Sequence, residues 1–167
     1  MTFTSNRNNV AAWFDIGGKK FYSKSRLERR YARLLEVLKR GGQIKDWDYE
    51  PFTFKFYPPF IPKKYAGKIT GVRQYKPDFK VTNNDGSIEF HETKGHLDGR
   101  DVTKIRCFNK YYPNEKLVFV IDGLPKGKTQ KSRNKLTNIL QLRNYVDRIY
   151  DVKQDFKKCS ILFGSKV

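Results

Sequence analysis

The chain has 167 residues and a mass of 19.7 kDa, room for one domain, and its 38% hydrophobic and 15% aromatic content supplies a core, which excludes a disordered chain. Its 35 Lys and Arg against 17 Asp and Glu leave a formal charge of +18, which points to a polyanionic partner, nucleic acid first, because clustered cations release the counterions of phosphates. With no apolar stretch after Met1, no aliphatic or aromatic run longer than Leu117–Ile121, and only Cys107 and Cys159 as thiols, the expectation is a cytoplasmic protein without signal peptide, membrane span, disulfide framework or zinc site.

Residues 1–20 show little periodicity and read as an N-terminal arm closed by the turn signal Gly17-Gly18. From Ser23 to Arg40 the pattern is helical: Leu27, Tyr31, Leu34, Leu35 and Leu38 line one face, Ser23 or Ser25 caps the start, and Gly41-Gly42 stops it. A strand follows in which Phe52, Phe54 and Phe56 alternate with polar neighbours as a core stripe behind Trp47 and Tyr49, with Pro51 marking a bulge or an edge. Residues 58–74 are a basic, Pro- and Gly-rich loop. Tyr75–Val81 and Ser87–Lys94 are two further strands, joined by the hairpin signal Asn83-Asn84-Asp85-Gly86.

After a turn at Gly95–Gly99, a helix capped by Asp101 is expected to run to about Tyr112, and Pro113 ends it. Leu117–Ile121, apolar on both faces, suits an interior strand. Residues 125–135 read as an exposed basic loop, and Leu136, Ile139, Leu140, Tyr145, Val146 and Ile149 space like a last amphipathic helix. The order of elements predicts an α/β single domain: an arm over 1–20, a core over 22–122, then a basic loop and C-terminal helix over 123–167.

The chemistry concentrates in Tyr75-Lys76-Pro77-Asp78-Phe79 and, one hairpin later, Glu92-Thr93-Lys94-Gly95. Strand alternation points Glu92 and Lys94 the same way, about 7 Å apart along the chain, and antiparallel pairing sets Asp78 beside Glu92. Two carboxylates are hard oxygen ligands suited to Mg²⁺, and an ammonium beside a metal-bound water can orient it; together they can hydrolyse a phosphodiester. The plain alternative is a sheet-edge ion pair. Against it, Glu92 and Lys94 continue the apolar phase of Ile88 and Phe90, and a half-buried carboxylate pair is costly without a cation between its members.

Pro77-Asp78 with Glu92-Thr93-Lys94 resembles the PD-(D/E)XK nuclease superfamily. Phe79 and Gly95 make it similar to the bacteriophage endonuclease I type of Holliday-junction resolvase. Those enzymes bring a further glutamate from a preceding helix, in a Ser-x-Leu-Glu-like stretch, which here is Ser25-Arg26-Leu27-Glu28. The resemblance covers about residues 22–122. It implies a restriction-endonuclease-like core with a mixed central sheet flanked by helices, and an Mg²⁺-dependent endodeoxyribonuclease in which Mn²⁺ substitutes. Asp78, Glu92 and the Thr93 carbonyl would hold the metal, Lys94 would position the attacking water, and Glu28 would support a water or a second ion. It further implies branched DNA as substrate, a homodimer with residues 1–20 as an exchanged arm, and a phage-infected or bacterial host cell. A sequence-specific or homing-type endonuclease, an RNA nuclease and a non-catalytic basic nucleic-acid-binding protein remain the alternatives.

Arg73, Lys76, Lys104, Lys126, Lys128, Lys131 and Arg133 are candidates for phosphate contacts, with Lys104 expected to face the scissile region. Gly123–Thr129 is not a nucleotide-binding loop: that motif needs four residues between its glycines, and only Leu124, Pro125 and Lys126 separate Gly123 from Gly127. His91 falls on the face opposite Glu92 and reads as structural, His96 is a candidate general base, and Glu50 and Asp98 are spare acids near the site.

Overall fold

The computed structural model describes residues 11–56, 73–95, 97–125 and 127–153. Residues 1–10 of the expected arm, most of the 58–74 loop, His96, Lys126 and Cys159 lie outside them.

The first departure comes at once. The rest of the expected arm is a hairpin, β1 (Ala12–Ile16) and β2 (Lys19–Ser23), paired antiparallel. Gly17 and Gly18 take φ of 63° and 78°, the pair of positive angles that a two-residue hairpin turn needs. A Cβ on Gly17 would also run into the carboxylate of Glu36. Phe14, Ile16 and Phe21 face inward, Trp13 and Tyr22 outward.

Helix α1 (Arg26–Arg40) starts three residues later than expected. Ser25 is its cap, accepting from Glu28 N at 3.1 Å, and Gly41 closes it. Leu27, Tyr31, Leu34 and Leu35 are buried as the stripe predicts. Glu36 is buried too, yet its carboxyl lies below the usual range. Burial pushes it up, but hydrogen bonds from Arg40 (2.9 Å) and Trp47 Nε1 (3.1 Å) and the nearby cations outweigh that.

The two long strands expected around the motif each break at a proline. Trp47–Tyr57 divides into β3 (Asp46–Tyr49) and β4 (Phe54–Phe56), with Glu50 at φ 43° and Pro51 between them. Tyr75–Val81 divides into β5 (Arg73–Tyr75) and β6 (Phe79–Thr82) across Pro77. β3 pairs with β6 and β4 with β5, in separate sheets. Prolines lack a ladder donor, so facing breaks bend the ribbon out of one sheet. The bend leaves Phe52 54% exposed, which corrects its place in the core stripe; Phe54 and Phe56 are buried.

β7 (Ile88–Lys94), β8 (Lys116–Ile121) and β9 (Arg148–Asp151) complete a five-stranded sheet in the order β3-β6-β7-β8-β9, antiparallel to β7 and parallel beyond it. α2 (Gly99–Tyr111) and α3 (Gln130–Leu142) make the two crossovers. Asp98, rather than Asp101, caps α2; Asp101 completes a capping box by accepting from Asp98 N. α3 takes in the end of the expected basic loop, so Lys131 and Arg133 are helical, and it stops before Tyr145. Ile149 belongs to β9, and Leu140 is 45% exposed.

β8 shows how the layers divide. Val118 and Val120 pack with Trp47, Phe79, α1 and the hairpin, while Leu117, Phe119 and Ile121 pack with Phe54, Phe56, α2 and α3. Cys107 is buried in the second core. The protein is therefore α/β, with a mixed central sheet flanked by helices in the restriction-endonuclease-like manner. No helix among the described residues is long and apolar enough to cross a membrane.

Asp46 ties hairpin, helix and sheet together: its carboxylate meets Lys39 (2.9 Å), Lys19 (3.3 Å) and the Trp47 N–H (2.8 Å). Burial alone would raise its pKa, but these donors lower it from 3.8 to about 2. A depressed carboxyl pKa adds stability that is present above the unfolded value and is lost as pH falls through the folded one. Because Asp46 is 42% exposed, solvent screening cuts the contribution to about 1 kcal/mol. Asp46→Asn should cost about that much in urea melts at pH 6, with the gap closing between pH 4 and 2.

Candidate active site at the bend of the sheet

The register Phe79↔His91 between β6 and β7, carried one step further, sets Asp78 opposite Glu92. Phe79 faces the α1 core and Phe90 the α2 core, so alternation puts Asp78 and Glu92 together on the α2 face. Asp78 Oδ2 accepts from both Thr93 N and Thr93 Oγ1, each at 2.7 Å. Glu92 Oε1 lies 3.1 Å from Lys94 Nζ, and Oε2 accepts from Tyr75 OH at 3.2 Å. Asp101 stands 3.5 Å from the same ammonium.

Glu28 comes from the other side of the sheet, where α1 begins. Its Oε2 accepts from Tyr49 OH (2.8 Å), Lys24 N (2.8 Å) and Ser23 Oγ (3.2 Å). Glu28, Asp78, Glu92, Thr93 and Lys94 line one cleft of about 520 Å³, together with Lys24, Glu50, Tyr75, Lys76 and Lys104. All the expected catalytic and metal-site residues thus share one concavity.

Its electrostatics are those of a site crowded with acid. Burial and the Glu92 charge push the Asp78 carboxyl well above its ordinary value, despite the Thr93 hydrogen bonds. Burial raises Glu92 as well, against the pull of Lys94 and Tyr75. Burial works to deprotonate Lys94, but the charges of Glu92, Asp101 and Asp78 win and hold it firmly as an ammonium. The Tyr75 and Tyr49 hydroxyls are pushed up by burial and by the carboxylates they serve, so both remain donors.

Among the described residues no three His, Cys, Asp or Glu side chains are drawn in around a common metal position. A magnesium site does not need three, since that ion keeps several waters and takes one or two carboxylates with phosphate oxygens. The donor set fits such an ion. It is made of oxygens, its two central carboxylates repel each other, and Asp78 Oδ1 and Glu28 Oε1 accept no hydrogen bond from the described residues.

The cationic candidates divide. Lys76 and Lys104 line the cleft. Lys128, Lys131 and Arg133 are exposed and do not line it; Arg133 donates to Gln130 at 3.0 Å, and Lys131 borders a smaller pocket of about 340 Å³ beside Leu97. Arg73 is placed by its backbone in β5, opposite Phe56. Lys126 and His96 fall outside the described residues. His91 is structural, as expected: its Nδ1 meets Tyr31 OH at 2.7 Å and its Nε2 meets Glu89 at 3.1 Å, on the α1 side. Asp98 is spent as the α2 cap.

Glu50 does more than a spare acid. Its carboxylate is clamped between Lys24 (2.6 Å) and Lys76 (2.7 Å), and its N–H donates to Asp78 O at 2.7 Å. A non-glycine residue at φ 43° is strained, and the strain sits at the cleft rim. Lys24, Tyr49 and Tyr75 escaped the sequence reading because each acts across elements. Only Tyr75, which begins the motif, carried any local signal.

No curated protein and no solved structure matches the chain. Residues 9–129 match the family model described as "Protein of unknown function (DUF1064)", a span that runs from the hairpin to the cap of α3 and contains every cleft residue. The chain belongs to the DUF1064 family.

Proposed function

We propose that the protein is a metal-dependent endonuclease of the PD-(D/E)XK kind, acting on DNA. The observation that carries this reading is the meeting of Asp78 and Glu92 on one face of the sheet, with Lys94 held against Glu92 in a cleft lined by further lysines. Asp78 and Glu92 would hold Mg²⁺, or Mn²⁺ in its place, with the Thr93 carbonyl as a third ligand by the resemblance noted above. When bound, such an ion supplies Lewis-acid polarisation of the scissile phosphate and acidifies a coordinated water.

The chain's own residues do the rest. Thr93 fixes the Asp78 carboxylate through two hydrogen bonds, and Tyr75 fixes Glu92. Lys94, kept protonated by three acids, orients the attacking water and offsets charge on the phosphate. Glu28, steadied by Tyr49, supports a further water or a second ion. Lys76 and Lys104 meet phosphates flanking the scissile bond. Branched DNA such as a Holliday junction is the first substrate by resemblance, and symmetric cutting of two strands calls for a homodimer.

The test is a panel of labelled four-way junction, flap, linear duplex, single-stranded DNA and RNA, incubated with Mg²⁺ and, for binding alone, with Ca²⁺. Junction cleavage in Mg²⁺ is the expected result. Preference for one duplex sequence would make the enzyme sequence-specific. Binding to every substrate without cleavage of any would leave a basic nucleic-acid-binding protein.

A further inference from the structure

Trp13 and Tyr22 are cross-strand partners on the outer face of the β1–β2 hairpin, 73% and 46% exposed. Their rings meet edge to face, centroids 5.7 Å apart at 65°, so each props the other upright in solvent. The ring pair adds at most about 1 kcal/mol to the hairpin, which is already seated by Phe14, Ile16 and Phe21 on its other face, and leaves most of the Trp13 surface in water. Two cations bracket the pair. Lys20 shares its face and makes no ion pair among the described residues, and Lys24, two residues past Tyr22, lines the cleft with its ammonium paired to Glu50 at 2.6 Å and still largely exposed. Asp15, the acid on that face, is committed to the turn through Gly18 N at 3.1 Å.

We propose that Trp13 and Tyr22 form a stacking platform for an unpaired nucleobase, on a strand whose phosphates run past Lys20 and Lys24 into the cleft. The proposal deepens the nuclease reading and rests on its nucleic-acid substrate. It says that the substrate has single-stranded character at most about 7 Å, two residues of chain, from the cleft rim. Aromatic faces interleaved with lysines are the equipment for binding unpaired bases, and a paired base inside a duplex offers no free face to stack on. The rings expose on the order of 300 Å², well under the roughly 800 Å² per partner that a stable dimer contact needs, so a second copy of the chain is the poorer occupant.

Intrinsic fluorescence gives a direct test, because the chain has two tryptophans and Trp47 is fully buried. In Ca²⁺, where no cleavage is required, a short oligothymidylate should quench the emission and a blunt duplex of equal length should not. Trp13→Ala and Tyr22→Ala should weaken oligothymidylate binding about 5- to 100-fold while Trp13→Phe keeps most of it, with duplex binding and thermal melts unchanged. Unquenched emission together with wild-type affinity in Trp13→Ala would overturn the platform, as would a variant that loses only self-association on size exclusion. A protein that is quenched by the oligonucleotide yet cuts nothing in Mg²⁺ supports the platform and sinks the catalytic reading alone. Cleavage without quenching does the reverse.

Discussion

Asp78→Asn is expected to melt higher than the unmodified protein in metal-free buffer at neutral pH, and to have lost Mg²⁺-dependent cleavage by at least about 10³-fold. The two effects share one cause. A carboxyl whose folded pKa is raised weakens the fold at pH values above its unfolded value, 3.8 here, and the raising comes from burial and from Glu92. An amide keeps an oxygen to accept from Thr93 N and Thr93 Oγ1 while it removes the charge, so the gain is about 1 kcal/mol, or roughly 2–4 °C. Adding Mg²⁺ should reverse the order, because the ion stabilises only the chain that binds it. An ordinary sheet-edge ion pair gives the opposite sign. If Asp78→Asn melts lower without metal, and Mg²⁺ shifts both proteins equally, the metal site is wrong.

Lys94→Ala should cost about 10³-fold in cleavage rate with DNA affinity within a few-fold, the pattern of a group that acts in the transition state rather than in binding. Its stability should also fall by about 2–3 kcal/mol, since Glu92 is then left buried without its ammonium at 3.1 Å. Lys94→Arg restores the charge but not the compact, rotatable donor, so it should recover most of the stability and little of the rate. Single-turnover cleavage and urea melts on the same preparations separate the two losses. Full-rate cleavage by Lys94→Ala would remove the lysine from the chemistry.

Much of the site was legible because it is local in sequence. The Asn83–Gly86 turn fixes the β6–β7 register, and that register alone brings Asp78 to Glu92. The α1 stripe and the doubly apolar β8 were equally plain, as their periodicities have one reading. What failed was of another kind. Period-2 alternation says which side of a strand is buried but not which sheet the strand joins, so Pro51 reads as a bulge or edge within one strand and Tyr75–Val81 reads as one strand straight through Pro77. The β1–β2 hairpin and β9 are short and half polar, with too few apolar positions to show a period. Tyr49, Tyr75 and the Lys24–Glu50–Lys76 clamp depend on partners from other elements, and no spacing along the chain announces them.

The bent ribbon has a consequence for how this chain can change. Past the two prolines, β4 and β5 form a ribbon of their own, outside the central sheet's ladder, that rests on α2 and on Phe90 of β7: Phe54 packs against both Phe108 and Phe90, and Tyr112 OH both donates to Lys55 O (2.8 Å) and accepts from Lys55 N (3.2 Å). The connection between Phe56 and Arg73 therefore leaves from a pedestal of its own. Chain can be added, removed or recharged there while Tyr75 still reaches Glu92 and the carboxylates stay in place. On the nuclease reading proposed above, change of sequence in that connection would alter which DNA is met without disturbing the groups that would cut it.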